Sequence, residues 1–335
     1  MSSYLFTPAA FPANRPRRLR RDEFTRNLVR ENQLSAHDFI YPVFVHEGEN
    51  RRQAIASMPG VERLSLDLLL PVAQECADLG IPYLALFPVI DAELKDPRGS
   101  EALNPNGLIP RVVRALKQAV PQLGIMTDVA LDPYTSHGQD GVLDEEGYIL
   151  NDITTDLLVQ QALVQAEAGV DMVAPSDMMD GRIGAIRQAL EAKGLIHTRI
   201  MAYSAKYASG LYGPFREAVD VQIANGGDRR GYQQDYRNRR ESVREARLDV
   251  AEGADIVMVK PAMTYLDVVA DLRASLDVPV AAYHVSGEYA MIKAAGERGW
   301  IDGEAVALEQ LTAIRRAGAD LVLTYFAKEI ATVLS

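Results

Sequence analysis

A single cysteine, Cys76, stands among the 335 residues. One thiol excludes an intrachain disulfide and any cysteine-rich zinc site, and in a predicted helix it is expected to be a small buried hydrophobe. Long apolar runs are also missing, each being interrupted well short of the ~20 residues that span a bilayer. The start, Met1-Ser2-Ser3-Tyr4, opens no charged-then-apolar leader, so a soluble cytoplasmic protein with no membrane partner is expected. No Gly-x-Gly-x-x-Gly turn follows an early strand and no Walker-type loop is present, which removes support from nucleotide-binding α/β folds. Positive charge is in deficit: 35 Lys and Arg against 46 Asp and Glu give a formal charge of −11, which argues against a general polyanion binder.

The positive charge that is present clusters. Residues 1–35 carry Arg15, Arg17, Arg18, Arg20, Arg21, Arg26 and Arg30 against only Asp22, Glu23 and Glu31. Such a run serves either as a nucleic-acid arm or as an extension for subunit contacts; the acidic body behind it favours the second, with no nucleic acid.

From residue 36 to 335 the pattern alternates. Strands are predicted at Ile40–Val45, Tyr83–Phe87, Gly124–Val129, Met172–Ala174, Arg199–Lys206, Ile256–Lys260, Val280–His284 and Leu321–Thr324. Helices are predicted at Leu64–Leu79, Leu108–Val120, Thr155–Ala168, Arg182–Ala192, Ser242–Glu252, Thr264–Ser275, Gly287–Arg298 and Glu304–Ala317. Three junctions look alike: Ala168-Gly169-Val170-Asp171, Glu252-Gly253-Ala254-Asp255 and Ala317-Gly318-Ala319-Asp320, with Leu79-Gly80-Ile81-Pro82 a weaker fourth. In each a helix stops at a Gly suited to a left-handed cap and a buried strand follows. Eight βα units with no linker between halves predict an α/β chain folded as a single parallel (β/α)₈ TIM barrel, whose active site lies at the carboxyl ends of the strands.

Two lysines stand at such ends, Lys206 in Tyr203-Ser204-Ala205-Lys206 and Lys260 in Met258-Val259-Lys260-Pro261. Desolvation and a second nearby cation lower a lysine pKa, which yields the neutral amine that Schiff-base chemistry needs. The other strand ends supply Asp128 and Asp132, Ser176 and Asp177, Tyr283 and Ser286, and Tyr325. Amines, hydroxyls and carboxylates on one face suit carbonyl chemistry, in which an amine adds, water leaves and a hydroxyl or carboxylate moves protons.

Two loops add to this set. The loop from Asp128 to Gly141 gathers Asp128, Asp132, His137 and Asp140, which as hard ligands suit Mg²⁺ rather than zinc, or else stabilise a turn-rich loop. The loop of about 225–240, Gly226-Gly227-Asp228-Arg229-Arg230-Gly231-Tyr232-Gln233, reads as a flap whose guanidinium groups close over an anionic substrate. Its arginines and aromatics would also suit RNA, a weaker reading in an acidic protein. Arg216 lies just before it in Tyr212-Gly213-Pro214-Phe215-Arg216.

These segments, together with Ala174-Pro175-Ser176-Asp177-Met178-Met179-Asp180-Gly181-Arg182 and Tyr283-His284-Val285-Ser286-Gly287-Glu288-Tyr289, resemble the porphobilinogen synthase (5-aminolevulinate dehydratase) family from about Arg17 onward. The resemblance implies a lyase that condenses two 5-aminolevulinate molecules to porphobilinogen with loss of two waters, an early step of tetrapyrrole and heme synthesis. It implies Schiff bases on Lys260 and Lys206, which hold the substrates supplying the propionate and acetate sides of the product. Arg216, Arg229 and Gln233 then match contacts to the acetate-side carboxylate, and Ser286 and Tyr325 those on the propionate side, with Tyr283 beside them. Asp128, Asp132, Asp140 and Ser176 would support the site.

The N-terminal arm would wrap a neighbouring subunit, usually in a homo-octamer. Zinc-dependent members carry three cysteines where this chain has Ala130, Asp132 and Asp140, so no catalytic zinc is expected and the aspartate-bearing branch is implied. Glu245 matches a glutamate of an activating, allosteric Mg²⁺ site, so Mg²⁺ is the expected cofactor, with no organic one. The residues alone leave two rivals: a class I aldolase-like Schiff-base barrel, which needs one lysine, and an RNA- or phosphate-binding protein using Arg229 to Arg240.

Overall fold

A computed structural model describes residues 11–224 and 227–334, so the first ten residues and the Gly226 of the flap lie outside the described residues. The chain divides into residues 1–33 and 34–335. Within the first unit, a 3₁₀ turn (Pro16–Arg20) and a short helix (Glu23–Leu28) bury no side chain. Arginines brace it locally: Arg18 donates to the Ala13 carbonyl at 2.9 Å and Arg26 to that of Arg20 at 2.9 Å.

The second unit is the predicted barrel. Its strands are β1 (Phe39–His46), β2 (Tyr83–Val89), β3 (Gly124–Val129), β4 (Met172–Pro175), β5 (Arg199–Lys206), β6 (Ile256–Lys260), β7 (Val280–His284) and β8 (Leu321–Thr324). Each pairs in parallel with the next, and Phe39 opposite Val322 closes β1 onto β8. Nearly every strand residue is buried, as expected of strands covered by helices on one side and by packed side chains on the other. The helix predicted to begin at Thr155 spans Asn151–Glu167, because Asn151 and Asp152 read as turn residues yet form its first turn. Among the elements that escape the pattern are a ribbon of Arg52–Ala54 against Glu62–Leu64, the helix Gly213–Ala218 and the helix Ala327–Leu334.

The repeated junctions explain how the barrel floor is fastened. Gly169, Gly253 and Gly318 hold φ of +100°, +105° and +121°, which a side chain would resist. The aspartate two positions on then clasps the preceding strand. Asp171 donates its N–H to the Ile125 carbonyl and accepts the Ile125 N–H on its carboxylate at 2.9 Å; Asp255 does the same with Ile200, and Asp320 with Val280. A basic residue of the helix that precedes the clasped strand completes each clasp: Lys117 on Asp171, Arg187 on Asp255 and Arg273 on Asp320. The opposite face is thereby left to loops that carry chemistry.

Candidate active site

Lys206 and Lys260 end β5 and β6 as direct register partners, and both are buried. Lys206 Nζ donates to the Ser176 carbonyl and lies 4.0 Å from Asp140 Oδ2. Lys260 makes no ion pair among the described residues; its Nζ is ringed by Tyr203, Tyr212, Phe215 and Tyr283, with ring centroids at 5.2, 5.2, 4.9 and 4.6 Å. Burial, then the neighbouring Lys206 charge, pushes the Lys260 pKa down to about 7. Its carbonyl accepts from the Tyr212 hydroxyl at 3.2 Å and the Tyr207 N–H at 3.0 Å, which fixes where the side chain starts.

Three aspartates face the amines, Asp128 from the end of β3 and Asp132 and Asp140 from the loop after it. Burial raises Asp128 to about 6, and burial with the charge of Asp140 raises Asp132 to about 7. For Asp140 burial works in the same direction, but Arg229 and Lys206 outweigh it and hold its carboxyl below the usual range. Arg229 reaches in from the flap, 2.9 Å from Asp132, 3.2 Å from Asp140 and 2.9 Å from the Gly138 carbonyl. Tyr232 donates to Gln139 at 2.9 Å, so the flap lies down on this loop. Its far end is fixed: the Gln234 N–H donates to the Lys206 carbonyl at 3.0 Å, the Gln234 carbonyl accepts from Ala208 at 2.9 Å, and its side chain bridges Ser242 and the Ser204 carbonyl.

The guanidinium of Arg229 decides the metal question for Asp132 and Asp140. It forks between them, fills the position a divalent ion would need, and Ala130 adds no donor, so the residues as arranged do not fit an active-site metal. Glu245 differs. It is half-buried, and burial with the carboxylates of Asp249 and Asp180 raises its pKa, an excess of negative charge that suits a hard cation. No group of three His, Cys, Asp or Glu is arranged to hold a metal among the described residues, so a cation there would keep most of its waters.

The remaining expected contacts fall into two sets. Arg216 is half-buried without an ion pair among the described residues, and burial with the neighbouring Arg229 lowers its pKa, as expected where an anion is awaited. Gln233 is buried, with its Nε2 unpartnered among the described residues. On the other side, Ser286 accepts from the Phe215 N–H at 3.0 Å, and the Tyr283 and Tyr325 hydroxyls share a hydrogen bond of 2.9 Å. Sequence reasoning gave no role to Tyr203, nor to Arg182, which pairs with buried Asp177 and Asp249 and donates to the Tyr203 carbonyl at 3.4 Å. A register shift between Ala202 and Ala205 brings Tyr203 onto the lysine side. A regular strand would set residues three apart on opposite faces.

A closed (β/α)₈ barrel with two buried, unequal lysines at its catalytic end defines the class of lysine-dependent carbonyl enzymes. Residues 13–333 match the family described as Delta-aminolevulinic acid dehydratase. A protein of that name from Bradyrhizobium diazoefficiens is 55% identical over 98% of this chain and 93% of its own length. Another, from Synechococcus elongatus, is 51% identical over 97% of this chain and 100% of its own length. The crystal structure of the dehydratase (porphobilinogen synthase) from Toxoplasma gondii, in complex with the reaction product porphobilinogen, superposes with a TM-score of 0.94 at 51% identity, covering 96% of this chain and 91% of that one. The chain belongs to the delta-aminolevulinic acid dehydratase family.

Proposed function

We propose that this chain condenses two molecules of 5-aminolevulinate to porphobilinogen, releasing two waters, through Schiff bases on Lys260 and Lys206. One observation carries the reading: of two neighbouring buried lysines, one sits in an aromatic cage with no ion pair among the described residues and the other beside a carboxylate. Each substrate offers a ketone to an amine and a carboxylate to a guanidinium or hydroxyl. An iminium withdraws electrons from the adjacent carbon, so a base removes its proton and carbon–carbon bonding follows, while the other substrate's amino group closes the pyrrole.

Lys260, with Ser286, Tyr325 and Tyr283, would hold the propionate-side substrate. Lys206 would hold the acetate-side one, its carboxylate on Arg216, Arg229 and Gln233. Arg229 reaches that carboxylate only by loosening from Asp132, whose pKa of about 7 lets it take up a proton as the guanidinium leaves. Asp128, Asp140 and the Ser176 carbonyl then order the amine of Lys206. A single lysine suffices for the aldolase-like alternative, which leaves the second unexplained.

The same proposal includes an allosteric Mg²⁺ that Glu245, on helix Arg240–Ala251, would hold, and whose charge would offset the neighbouring carboxylates of Asp249 and Asp180. It includes a homo-octamer built through the arm, supported by arginines that, among the described residues, face no acidic partner within that unit except Asp22. No helix among the described residues is long and apolar enough to cross a membrane. A cytoplasmic setting is inferred from the bacterial relatives; algal and plant ones are named as chloroplastic. Incubating the purified protein with 5-aminolevulinate and measuring pyrrole tests the reaction; absence of pyrrole with and without Mg²⁺ defeats it.

A further inference from the structure

The helix Gly213–Ala218 carries two residues of the site, for Phe215 and Arg216 line the cavity that holds Lys206 and Lys260. A single short turn that opens with Gly and Pro does not hold a helix by itself. The Arg216 side chain makes no hydrogen bond or ion pair among the described residues. Its place at the cavity is therefore set by the backbone of that helix.

Both ends of the helix are gripped from outside it. At the start, the Phe215 N–H donates to Ser286 Oγ at 3.0 Å, and Gly287 packs so close that a Cβ there would lie 2.4 Å from the Leu211 carbonyl oxygen. At the end, Asp220 stands in the left-handed region at φ +51°. The chain turns back there, with the Asp220 N–H on the Glu217 carbonyl at 3.2 Å and the Val221 N–H on that of Arg216 at 3.0 Å. This turn does not use the Ala218 carbonyl. Arg63, on the ribbon strand Glu62–Leu64, takes it: Nε donates to Ala218 at 2.7 Å, and an outer nitrogen donates to the Glu217 carbonyl. A cation on the last carbonyls also suits the negative end of a helix. In return the Ala56 N–H, in the ribbon's turn, donates to Glu217 Oε1 at 3.1 Å. The ribbon is a firm base for this grip, since Ile55, Met58 and Val61 are buried and Tyr289 donates to the Pro59 carbonyl at 2.5 Å.

We propose that Arg63 is a positioning residue for the acetate-side substrate: its guanidinium, forked over the Glu217 and Ala218 carbonyls, holds Arg216 where it meets the substrate carboxylate. Arg63 touches no reacting atom. Without it the end of the helix loses two hydrogen bonds and Arg216 drifts from the cavity, so carboxylate binding weakens. Lys206 and Lys260 keep their places on their own strands, and Ser286 still holds the other end of the helix, with Phe215 over Lys260. The inference rests on the reading of Arg216 as a carboxylate contact in the reaction proposed above.

Its test is steady-state turnover of 5-aminolevulinate by the wild type, Arg63→Met, Arg216→Met and the double variant. Arg63→Met is expected to raise KM about tenfold, the worth of one charge-assisted hydrogen bond to the carboxylate, with kcat within about threefold of the wild type. In the Arg216→Met background the same change should leave KM where Arg216→Met put it, because the two act as one. Arg63→Lys keeps the cation but not the fork and should raise KM about threefold; it reads the same constants if Arg63→Met does not fold. Wild-type KM in Arg63→Met, or in Arg63→Lys where only that variant folds, overturns the proposal. A lowered kcat at wild-type KM, the mark of a merely structural arginine, overturns it too, as does failure of both variants to fold or a further rise of KM in the double variant. Wild-type KM in Arg216→Met overturns the carboxylate role of Arg216 and the proposal with it. No pyrrole from the wild type overturns the reaction as well.

Discussion

Lys206 and Lys260 are register partners on neighbouring parallel strands, and among the described residues only Lys206 of the two has a carboxylate within 4.0 Å, Asp140 Oδ2. At one level of the barrel, one amine therefore faces a carboxylate and the other a ring of aromatic side chains. The pairing follows from strand order, while the difference comes from loops: the Asp128 to Gly141 loop supplies Asp140, and the segment after β5 supplies Tyr212 and Phe215.

Lys260 sets a pH dependence. Its pKa is depressed to about 7 from an ordinary 10.5, so the neutral amine, and with it the rate of adduct formation, increases as pH rises through about 7. Between that value and 10.5 the unfolded chain binds the proton that the folded chain does not, so this lysine makes stability increase with pH across that window. Lys260→Met is expected to lose activity by about 10⁴-fold while unfolding at higher denaturant at pH 7. A variant both inactive and less stable would mean that Lys260 is a structural cation.

Arg229 is expected to hold the flap shut. Arg229→Ala takes the ion-pair partner from Asp132 and leaves Asp140 with Lys206 alone at 4.0 Å, and truncating one partner of a buried charge pair costs about 2–5 kcal/mol. KM for 5-aminolevulinate should therefore rise at least ~30-fold, with new proteolytic cleavage confined to residues 227–233. Unchanged KM and cleavage would show that the flap is held elsewhere.

Much of this was readable in the chain. The junction glycines carry a local conformational demand, and strand-end lysines follow from short apolar runs, so the fold and the placement of Lys206 and Lys260 are legible from neighbours in sequence. The fork of Arg229 on Asp132 joins residues 97 apart through two irregular loops, and no periodicity reports it. Tyr203 was hidden by a register shift, because alternation along β5 sets it opposite Lys206. The 52–54 and 62–64 ribbon has three-residue strands, one wholly exposed, too short for any pattern.

The Asp clasps on the barrel floor predict stability effects without catalytic ones. Asp171→Ala loses the Lys117 pair and leaves the Ile125 N–H without its acceptor, an expected loss of about 1–3 kcal/mol in denaturant unfolding. kcat should stay within twofold or so. A large fall in kcat at unchanged stability would tie the floor to the chemistry.

Metal dependence separates the two acidic sites. Since Arg229 occupies the space between Asp132 and Asp140, exhaustive chelation should leave measurable turnover, and Mg²⁺ should add to it. In Glu245→Ala that increment should vanish. A chelated enzyme without activity, restored only by a divalent ion, would place a metal in the active site.

The most direct measurement is reduction with borohydride in the presence of 5-aminolevulinate, followed by peptide mapping. The account predicts substrate-derived adducts on the peptides carrying Lys260 and Lys206, with Lys260 labelled first. Adducts on neither lysine, in a preparation that still makes porphobilinogen, would contradict it.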